Sequence, residues 1–176
     1  MSQSHIIDRL KALVGDDKVK TDAESLETFG KDWTKIYAPK PLAIVFPKST
    51  QEVAELIKAA NELDFAIVPS GGRTGLSAGA VASNGEVVVA MDRMNSLSDF
   101  NMTDRTVHCG AGVITEQLQN FAAENGLYYP VDFASAGSSQ IGGNIGTNAG
   151  GIKVIKYGMT RDWVAGLTVV TGKGDI

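Results

Sequence analysis

The fold is decided by residues 42–76, which read LAIVFPKSTQEVAELIKAANELDFAIVPSGGRTGL. The apolar run Leu42–Phe46 predicts a buried strand that ends at Pro47. Ser49-Thr-Gln-Glu52 has the spacing of a capping box and opens a helix whose apolar positions recur every three to four residues. Phe65–Val68 predicts a second strand. Together these segments predict a right-handed β-α-β unit with two parallel strands.

Shorter elements flank this unit on both sides. A helical apolar stripe spans Ile6–Val14 and stops at Gly15, and residues 16–40 are polar and predicted to be irregular. Glu86–Met91 predicts a third strand, and Leu97–Phe100 and Thr106–Cys109 predict two short ones. These patterns indicate a mixed helix and sheet protein.

The C-terminal half continues with a helix over Thr115–Glu124, which Asn125-Gly126 ends. Tyr128–Val131 is predicted to be extended, and Trp163–Thr171 is predicted to be a last apolar strand. The final residues, 169–176, read as the end of that strand, a turn and the start of a returning strand. This pattern predicts that the chain is a fragment of a longer protein.

Composition excludes several functional classes. The chain has 176 residues, 43% of them hydrophobic, a formal net charge of −4 and a single cysteine, Cys109. No apolar run approaches the ~20 residues of a membrane span. One cysteine and two histidines exclude a disulfide framework and a zinc cluster, and the lone thiol fits a reducing, cytoplasmic compartment. The negative charge argues against nucleic-acid binding.

Glycine is enriched and clustered. The chain has 20 glycines, four of them in residues 71–79 and six in residues 137–151. Between residues 59 and 152 there is no lysine and there are only three arginines (Arg73, Arg93 and Arg105), although both clusters lie in this range. An anion bound by these clusters must therefore be held mainly by backbone N–H groups.

The first cluster lies in residues 70–80, which follow the Phe65–Val68 strand and are called the first glycine loop below. Glycine permits close approach to a ligand, and successive N–H groups can converge on an anion. A flexible surface loop is the alternative interpretation. The predicted anion-binding residues are Pro69, Ser70, Gly71, Gly72, Arg73, Thr74, Gly75 and Leu76.

The second cluster, the second glycine segment, reads GSSQIGGNIGTNAGG over residues 137–151. Ile141 and Ile145 are four residues apart and predict one helical turn anchored in a core. The remaining residues are small or polar, which favours close backbone approach to a flat or phosphorylated ligand. A tight crossover packed on a neighbouring domain is the alternative.

Several weaker signals favour ordinary structural roles. Gly110–Thr115 imitates a dinucleotide-binding turn but lacks the third glycine and the distal acid, and Gly172-Lys-Gly174 lacks the rest of a phosphate-binding loop. His108 is predicted to be a strand residue and Cys109 a buried core thiol. Asp132 is either a turn residue or a ligand contact. Lys153, Lys156 and Arg161 form either a solvated face or an aid to anion binding.

Four ordered motifs resemble a known family. They are PSGGRTGLS (69–77), YYPVD (128–132), the second glycine segment and KYGMTRD (156–162). The chain resembles the FAD-binding domain of the vanillyl-alcohol oxidase / p-cresol methylhydroxylase family. Within that family it is most similar to the D-lactate, glycolate and D-2-hydroxyglutarate dehydrogenase branch.

The resemblance implies an α+β fold of the p-cresol methylhydroxylase type, with two α/β subdomains and FAD between them. Residues 1–37 would be an N-terminal helix and arm, 38–97 the first subdomain, and 98–176 an incomplete second one. The first glycine loop would cradle the pyrophosphate, and the second glycine segment would line the flavin. The residues expected to contact FAD in the second half are Pro130, Asp132, Gly137, Ser138, Gly142, Gly143, Asn144, Thr147, Asn148 and Gly150.

One departure from the family pattern concerns covalent flavin attachment. Members with histidyl-linked flavin carry histidine directly after the Gly-Gly of the first loop, where this chain has Arg73. We therefore expect non-covalent FAD. The family's enzymes are also several hundred residues long, so the catalytic residues and any metal ligands cannot be assigned in this chain.

The family implies hydride transfer from a small 2-hydroxy acid to flavin N5 in the full-length enzyme, with the electron acceptor open. Two other hypotheses remain: a non-catalytic flavin- or nucleotide-binding module, and a nicotinamide-dependent Rossmann enzyme based on the 110–115 turn. We expect no nucleic-acid partner and no integral membrane segment. Self-association through exposed apolar surface, and membrane contact through the electron acceptor, are further options.

Overall fold

The computed structural model describes residues 2–176, which form two compact units. The first unit is built from the chain up to Arg93 together with Thr168–Ile176, and the second is Met94–Leu167. The predicted second subdomain is residues 98–176, whereas the structure groups residues 168–176 with the first unit. The amide of Asn61 donates to the carbonyl of Gly172 at 2.9 Å, which fixes this return of the chain.

The first unit is a four-stranded sheet with helices. Its elements are α1 (Gln3–Val14), β1 (Val19–Lys20), α2 (Ala23–Phe29), β2 (Ala43–Val45), α3 (Thr50–Leu63), β3 (Ile67–Ser70) and β4 (Val87–Ala90). The strand order is β1-β2-β4-β3, with β2 and β3 both parallel to β4 and β1 antiparallel to β2. The predicted parallel β-α-β unit is confirmed, with β4 inserted between its two strands.

The centre of this sheet is buried on both faces. Ile44, Val45 and Val88 are fully buried, as continuous apolar runs in a parallel sheet require. One face packs on α1 and α3 through Leu10 and Leu56, and the other face packs on α2. The sheet therefore holds its β2 and β4 ends rigidly, and the first glycine loop begins where the neighbouring β3 ends.

The N-terminus of α3 matches its predicted cap in part. The hydroxyl of Ser49 accepts from the N–H of Glu52 at 3.2 Å. The Glu52 carboxylate accepts from the N–H of Lys48 at 2.8 Å instead of from that of Ser49. It also pairs with Lys18 Nζ at 2.8 Å. This helix is confirmed, and its cap is tied to the chain just before β1.

The prediction that residues 16–40 are irregular is wrong for its first half. This stretch contains β1 and α2, and the Asp22 carboxylate caps α2 by accepting from the N–H of Ser25 at 2.9 Å. Leu26 and Phe29 pack on the sheet. The helix is only seven residues long and mostly polar, so its two apolar contacts give too weak a periodicity to detect.

The second unit combines a hairpin with short helices. Its elements are β5 (Leu97–Asn101), β6 (Thr106–Cys109), α4 (Thr115–Glu124), α5 (Ile141–Thr147) and α6 (Val154–Tyr157). β5 and β6 pair antiparallel. Val113, Leu118 and Ile141 form the core, with Ile145 packed against it. The predicted α4 and the predicted helical turn at Ile141 and Ile145 are both confirmed.

The prediction of a last strand over Trp163–Thr171 is wrong. Thr160–Trp163 is a 3-10 turn, and residues 164–171 form no strand. Leu167 and Val169 are exposed, because no strand lies beside this apolar stretch to pair with it. The following turn does form, with the N–H of Thr171 donating to the carbonyl of Asp175 at 2.9 Å.

Tyr128–Val131, predicted to be extended, forms no strand. The adjacent Asp132 makes a single parallel bridge to Gly151. Across residues 2–176, no helix has the length and apolar character needed to traverse a bilayer.

Candidate cofactor site

The first glycine loop leaves its backbone donors free. It begins at Ser70, the last residue of β3. Among residues 2–176, the structure gives no protein acceptor to the N–H groups of residues 71–76. The Ser70 side chain is fully buried and its Oγ has no hydrogen-bond partner. A buried hydroxyl without a partner is costly, so these free donors fit a loop built to receive an anion.

A short segment before β2 supports this loop. The N–H of Trp33 donates to the carbonyl of Gly75 at 3.1 Å. Asp32 is buried, and its Oδ1 accepts from the N–H and the hydroxyl of Thr34 at 2.9 and 2.7 Å. Its Oδ2 is buried without a partner and lies 3.7 Å from the position of a Cβ on Gly75. Asp32 is not among the residues predicted from the sequence, although Asp-x-Thr is a turn signal.

The side chain of Arg73 is part-buried and makes several contacts within the first unit. Its guanidinium forms a two-pronged ion pair with Asp92, with Nη2–Oδ1 at 2.8 Å and Nη1–Oδ2 at 3.1 Å. Nη1 also donates to the carbonyl of Gly71 at 2.8 Å, and the group lies 4.7 Å from the ring centre of Phe29. The left-handed φ values of this loop belong to Arg73 (58°) and Ala78 (59°), not to a glycine. No glycine of this loop is therefore required by a left-handed backbone conformation.

The three glycines of α5 have different surroundings. A Cβ on Gly142 would lie 2.8 Å from the Cβ and 3.0 Å from the carbonyl oxygen of Ala111. A Cβ on Gly143 or Gly146 would meet nothing within 4 Å. Glycine inside a helix costs about 0.5–1 kcal/mol relative to alanine. Packing explains Gly142, whereas nothing within this unit explains Gly143 and Gly146.

Asn144, one of the residues expected to face FAD, has side-chain partners within the second unit. It is buried, and its amide donates to the Thr115 hydroxyl at 2.6 Å. That hydroxyl is 2.7 Å from the Ser139 hydroxyl. A buried amide must find partners within the fold. The structure therefore gives Asn144 the task of joining α5 to α4.

Asn148 ends α5 in a left-handed conformation (φ 50°) and ties the next loop to it. Its Oδ1 accepts from the N–H of Arg161 at 3.1 Å. Gly151 (φ 94°) permits the close approach of the Asp132 backbone, because an added Cβ would meet the Asp132 carbonyl. These contacts fold the end of the segment back on residues 130–132.

Asp132 is paired with Lys153. Lys153 Nζ lies 2.9 Å from Asp132 Oδ2 and donates to the Tyr128 hydroxyl at 2.8 Å. The hydrogen bond to Tyr128 and then that to Asp132 raise the pKa of Lys153. The pair is part-exposed, so Lys153 is a fixed positive charge beside the predicted site residues. Lys156 and Arg161 are exposed.

The remaining predicted residues lie at the surface or line the turns. Thr147, Gly137 and Ser138 are exposed, and the Thr147 hydroxyl donates to the carbonyl of Gly143 at 3.0 Å. Gly150 lies against Val154, and Pro130 is buried.

The weaker motifs have structural roles. A Cβ on Gly110 would meet the carbonyl of Met94, so this glycine allows the turn before α4 to pack. His108 is an exposed residue of β6, as predicted. Cys109 is only part-buried, and burial raises the pKa of its thiol to about 11. Within residues 2–176, no cluster of His, Cys, Asp or Glu could hold a metal ion.

An aromatic cleft of about 590 Å³ also lies in the second unit. Its lining includes Phe100, Phe121, Tyr129 and Trp163, with Arg105 at its edge. None of the residues predicted to bind the cofactor lines it. The cleft therefore contributes nothing to the assignment of the cofactor site.

The fold and the glycine segments define an FAD-binding domain. The family model described as "FAD binding domain" matches residues 41–176, and the chain belongs to that family. The structure of p-cresol methylhydroxylase with substrate bound superposes with a TM-score of 0.79 at 22% identity, over 98% of this chain and 34% of that one. That match shows the fold, of the p-cresol methylhydroxylase type. Alkyldihydroxyacetonephosphate synthase superposes with a TM-score of 0.82 at 25% identity, over 92% of this chain and 32% of that one.

The chain is also similar to a curated bacterial dehydrogenase. The chain is 66% identical to D-2-hydroxyglutarate dehydrogenase of Stutzerimonas stutzeri over all of its 176 residues, which are 38% of that relative. The chain thus spans little more than a third of the relative's length. The family and its fold are therefore those expected from the resemblance.

The cofactor is FAD, and the residues present fit it. The free N–H groups of the first glycine loop and the orphaned hydroxyl of Ser70 suit a pyrophosphate. The bare face of α5 at Gly143 and Gly146 suits close contact with a flat ring.

Proposed function

We propose that this protein is the FAD-binding part of a flavin-dependent dehydrogenase that oxidises a small 2-hydroxy acid of the D-2-hydroxyglutarate, D-lactate or glycolate type. The name of the relative at 66% identity supports this substrate class. When bound, FAD supplies the redox chemistry by accepting a hydride from C2 of the acid at flavin N5. The chain's own residues bind and orient the cofactor.

The first glycine loop holds the pyrophosphate in this proposal. The N–H groups of residues 71–76 point to no protein acceptor, so they can donate to phosphate oxygens without breaking an existing bond. The hydroxyls of Ser70 and Thr74 add donors. Because the stretch from 59 to 152 has no lysine, these neutral groups supply most of the attraction.

The second glycine segment lines the flavin. The observation that carries the proposal is the bare face of α5, where Gly143 and Gly146 weaken a helix although an added Cβ would meet nothing within 4 Å at either position. A side chain at either position would stand between the helix backbone and a ring lying on it. Gly137, Ser138 and Thr147 supply exposed polar groups nearby, and Pro130, Asp132, Asn148 and Gly150 shape the adjacent turns.

The FAD is held without a covalent bond. Arg73 follows Gly71-Gly72, and its guanidinium is engaged with Asp92. Arginine cannot form the histidyl link to the flavin. After acid precipitation we expect a colourless pellet and a yellow supernatant. A pellet that stays yellow contradicts non-covalent binding.

The test is an FAD titration of the purified chain, followed by quenching of flavin fluorescence. We expect saturable binding, and about tenfold weaker binding for Gly143→Ala. The matched control is Gly166→Ala, since Gly166 lies outside both segments and a Cβ there also meets nothing within 4 Å. Equal affinities for the two variants would contradict the assignment of α5 to the flavin.

Turnover is tested on the full-length gene product with an artificial electron acceptor. We expect reduction of the acceptor with one of the three 2-hydroxy acids. Tight FAD binding without turnover on any of them would favour a non-catalytic flavin-binding module.

The lone cysteine supports a cytoplasmic location, which fractionation of the source cells checks.

A further inference from the structure

The side chain of Arg73 contacts three segments of the first unit: its own loop, the turn after β4 and the end of α2. It lies at the centre of the first glycine loop, and its guanidinium pairs with Asp92 at 2.8 and 3.1 Å. Asp92 lies in the turn Met91–Arg93, directly after β4. Because β3 and β4 are adjacent parallel strands, with Ser70 beside Ala90, the pair joins the two chain segments that leave neighbouring strand ends.

A third segment closes the arrangement. The guanidinium lies 4.7 Å from the ring centre of Phe29, the last residue of α2. That ring packs edge-on against Phe46, which follows β2, with ring centres 4.9 Å apart. Arg73 therefore connects the loop directly to the turn after β4 and to the end of α2, and Phe29 links it onward to Phe46.

The same contacts engage three of the five N–H donors of the guanidinium. Nη1 donates to Asp92 and to the carbonyl of Gly71, and Nη2 donates to Asp92. The Asp92 carboxylate neutralises the positive charge, and the two side chains are 22% and 29% exposed. A phosphate could take the two donors that face Asp92 only by displacing that carboxylate, which would leave a part-buried charge without its partner.

The backbone also needs this support. Arg73 has a left-handed φ of 58°, which is strained for a residue with a side chain. Such a conformation persists only when the surroundings fix it. The hydrogen bond from Arg73 to the carbonyl of Gly71 closes a ring across the bend, which helps to fix the backbone of the loop.

We propose that Arg73 is a positioning residue whose pairing with Asp92 presets the first glycine loop for the FAD pyrophosphate, and that it does not contact the phosphates. This inference rests on the proposed role of that loop. It assigns Asp92, far from the loop in sequence, to the same function.

The affinity test is a double-mutant cycle on the full chain, with FAD titrations of Arg73→Ala, Asp92→Ala and the double variant. We expect both single variants to weaken FAD binding by a similar factor, about tenfold, and the double variant to be no worse than either. Arg73→Lys keeps the charge but loses the two-pronged pairing, so we expect it to bind as weakly as Arg73→Ala.

A direct phosphate contact gives a different pattern. In that case Arg73→Ala loses affinity, Asp92→Ala binds FAD as well as or better than the parent, and Arg73→Lys retains most of the affinity. That pattern overturns the proposal. Asp17→Ala is the matched control, because it removes the exposed pair of Asp17 with Arg93 next to Asp92 in sequence.

A second measurement needs no FAD. Trypsin cuts after arginine only when the side chain is free to enter its pocket. We expect slow cleavage between Arg73 and Thr74 in the parent and in Asp17→Ala, and at least fivefold faster cleavage in Asp92→Ala, with circular dichroism confirming that each variant is folded. Unchanged cleavage in Asp92→Ala overturns the preset loop. If Asp92→Ala is cleaved faster but the parent protein binds no FAD, the pairing of Arg73 with Asp92 does fix the loop, and the proposed function is rejected instead.

Discussion

The adjacent glycines Gly142 and Gly143 should respond to alanine in opposite directions. Carbon atoms in contact prefer separations of about 3.5–4.0 Å. A Cβ on Gly142 would lie 2.8 Å from the Cβ of Ala111, and the N–H of Gly142 already donates to the Ala111 carbonyl at 2.8 Å. The helix and the 110–112 turn therefore have to separate by about 0.7 Å or more.

The magnitudes follow from two opposing effects. Overpacking of this kind costs about 1–3 kcal/mol, and alanine in a helix gains about 0.5–1 kcal/mol over glycine. We expect Gly142→Ala to lower the free energy of unfolding by about 1–2 kcal/mol. Gly143→Ala meets nothing within 4 Å, so we expect it to raise that free energy by about 0.5–1 kcal/mol.

Urea unfolding of the unliganded chain, followed by circular dichroism, measures the difference. Repeating the urea unfolding with excess FAD compares how much each variant is stabilised by the cofactor, because a ligand stabilises only the form that binds it. The parent should gain stability from FAD and Gly143→Ala should gain much less. If Gly142→Ala is as stable as Gly143→Ala without FAD, the close packing of α5 on Ala111 is refuted.

Three further changes test other contacts. For Glu52, burial acts to raise the pKa, but hydrogen bonds from Lys18 and the backbone outweigh it, so the folded pKa is lowered from 4.5. Its stabilisation is present above pH 4.5 and is lost as the pH falls, so Glu52→Gln should flatten the acid limb of stability against pH and lower the stability at pH 7 by about 1 kcal/mol, measured by urea unfolding. Asn144→Ala leaves Thr115 without its buried donor, and thermal melting should show a loss of about 1–3 kcal/mol. The pKa of about 11 for Cys109 predicts that a thiol reagent at pH 8 reacts more than about a hundredfold slower with the folded chain than with the urea-unfolded chain.

The sequence predicts the long periodic elements well. The buried runs around β2 and β4 and the apolar stripes of α3 and α4 lie where their patterns indicate, because each buries enough apolar surface to fix its own conformation. The seven residues of α2 escape notice, since only Leu26 and Phe29 contact the sheet. An apolar stretch becomes a strand only beside a partner, which is why residues 164–171 do not.

In the candidate site, too, local features are predictable from the sequence and contacts between distant residues are not. Composition alone locates both glycine segments, because free backbone N–H groups and missing side chains are local properties. It cannot separate the packed Gly142 from the bare Gly143, since Ala111 comes beside α5 only in the folded unit. Nor can it show that Arg73 pairs with Asp92, or that Asn144 turns inward to Thr115.

The contact between Trp33 and the first glycine loop has a practical consequence. The chain has two tryptophans, one in each compact unit, and the second, Trp163, packs edge-on against Tyr129. Trp33 donates its backbone N–H to Gly75, and its indole is exposed. Each unit thus carries its own intrinsic fluorophore, whose emission overlaps flavin absorption. Replacing one indole by phenylalanine leaves an optical signal that reports on the other unit alone.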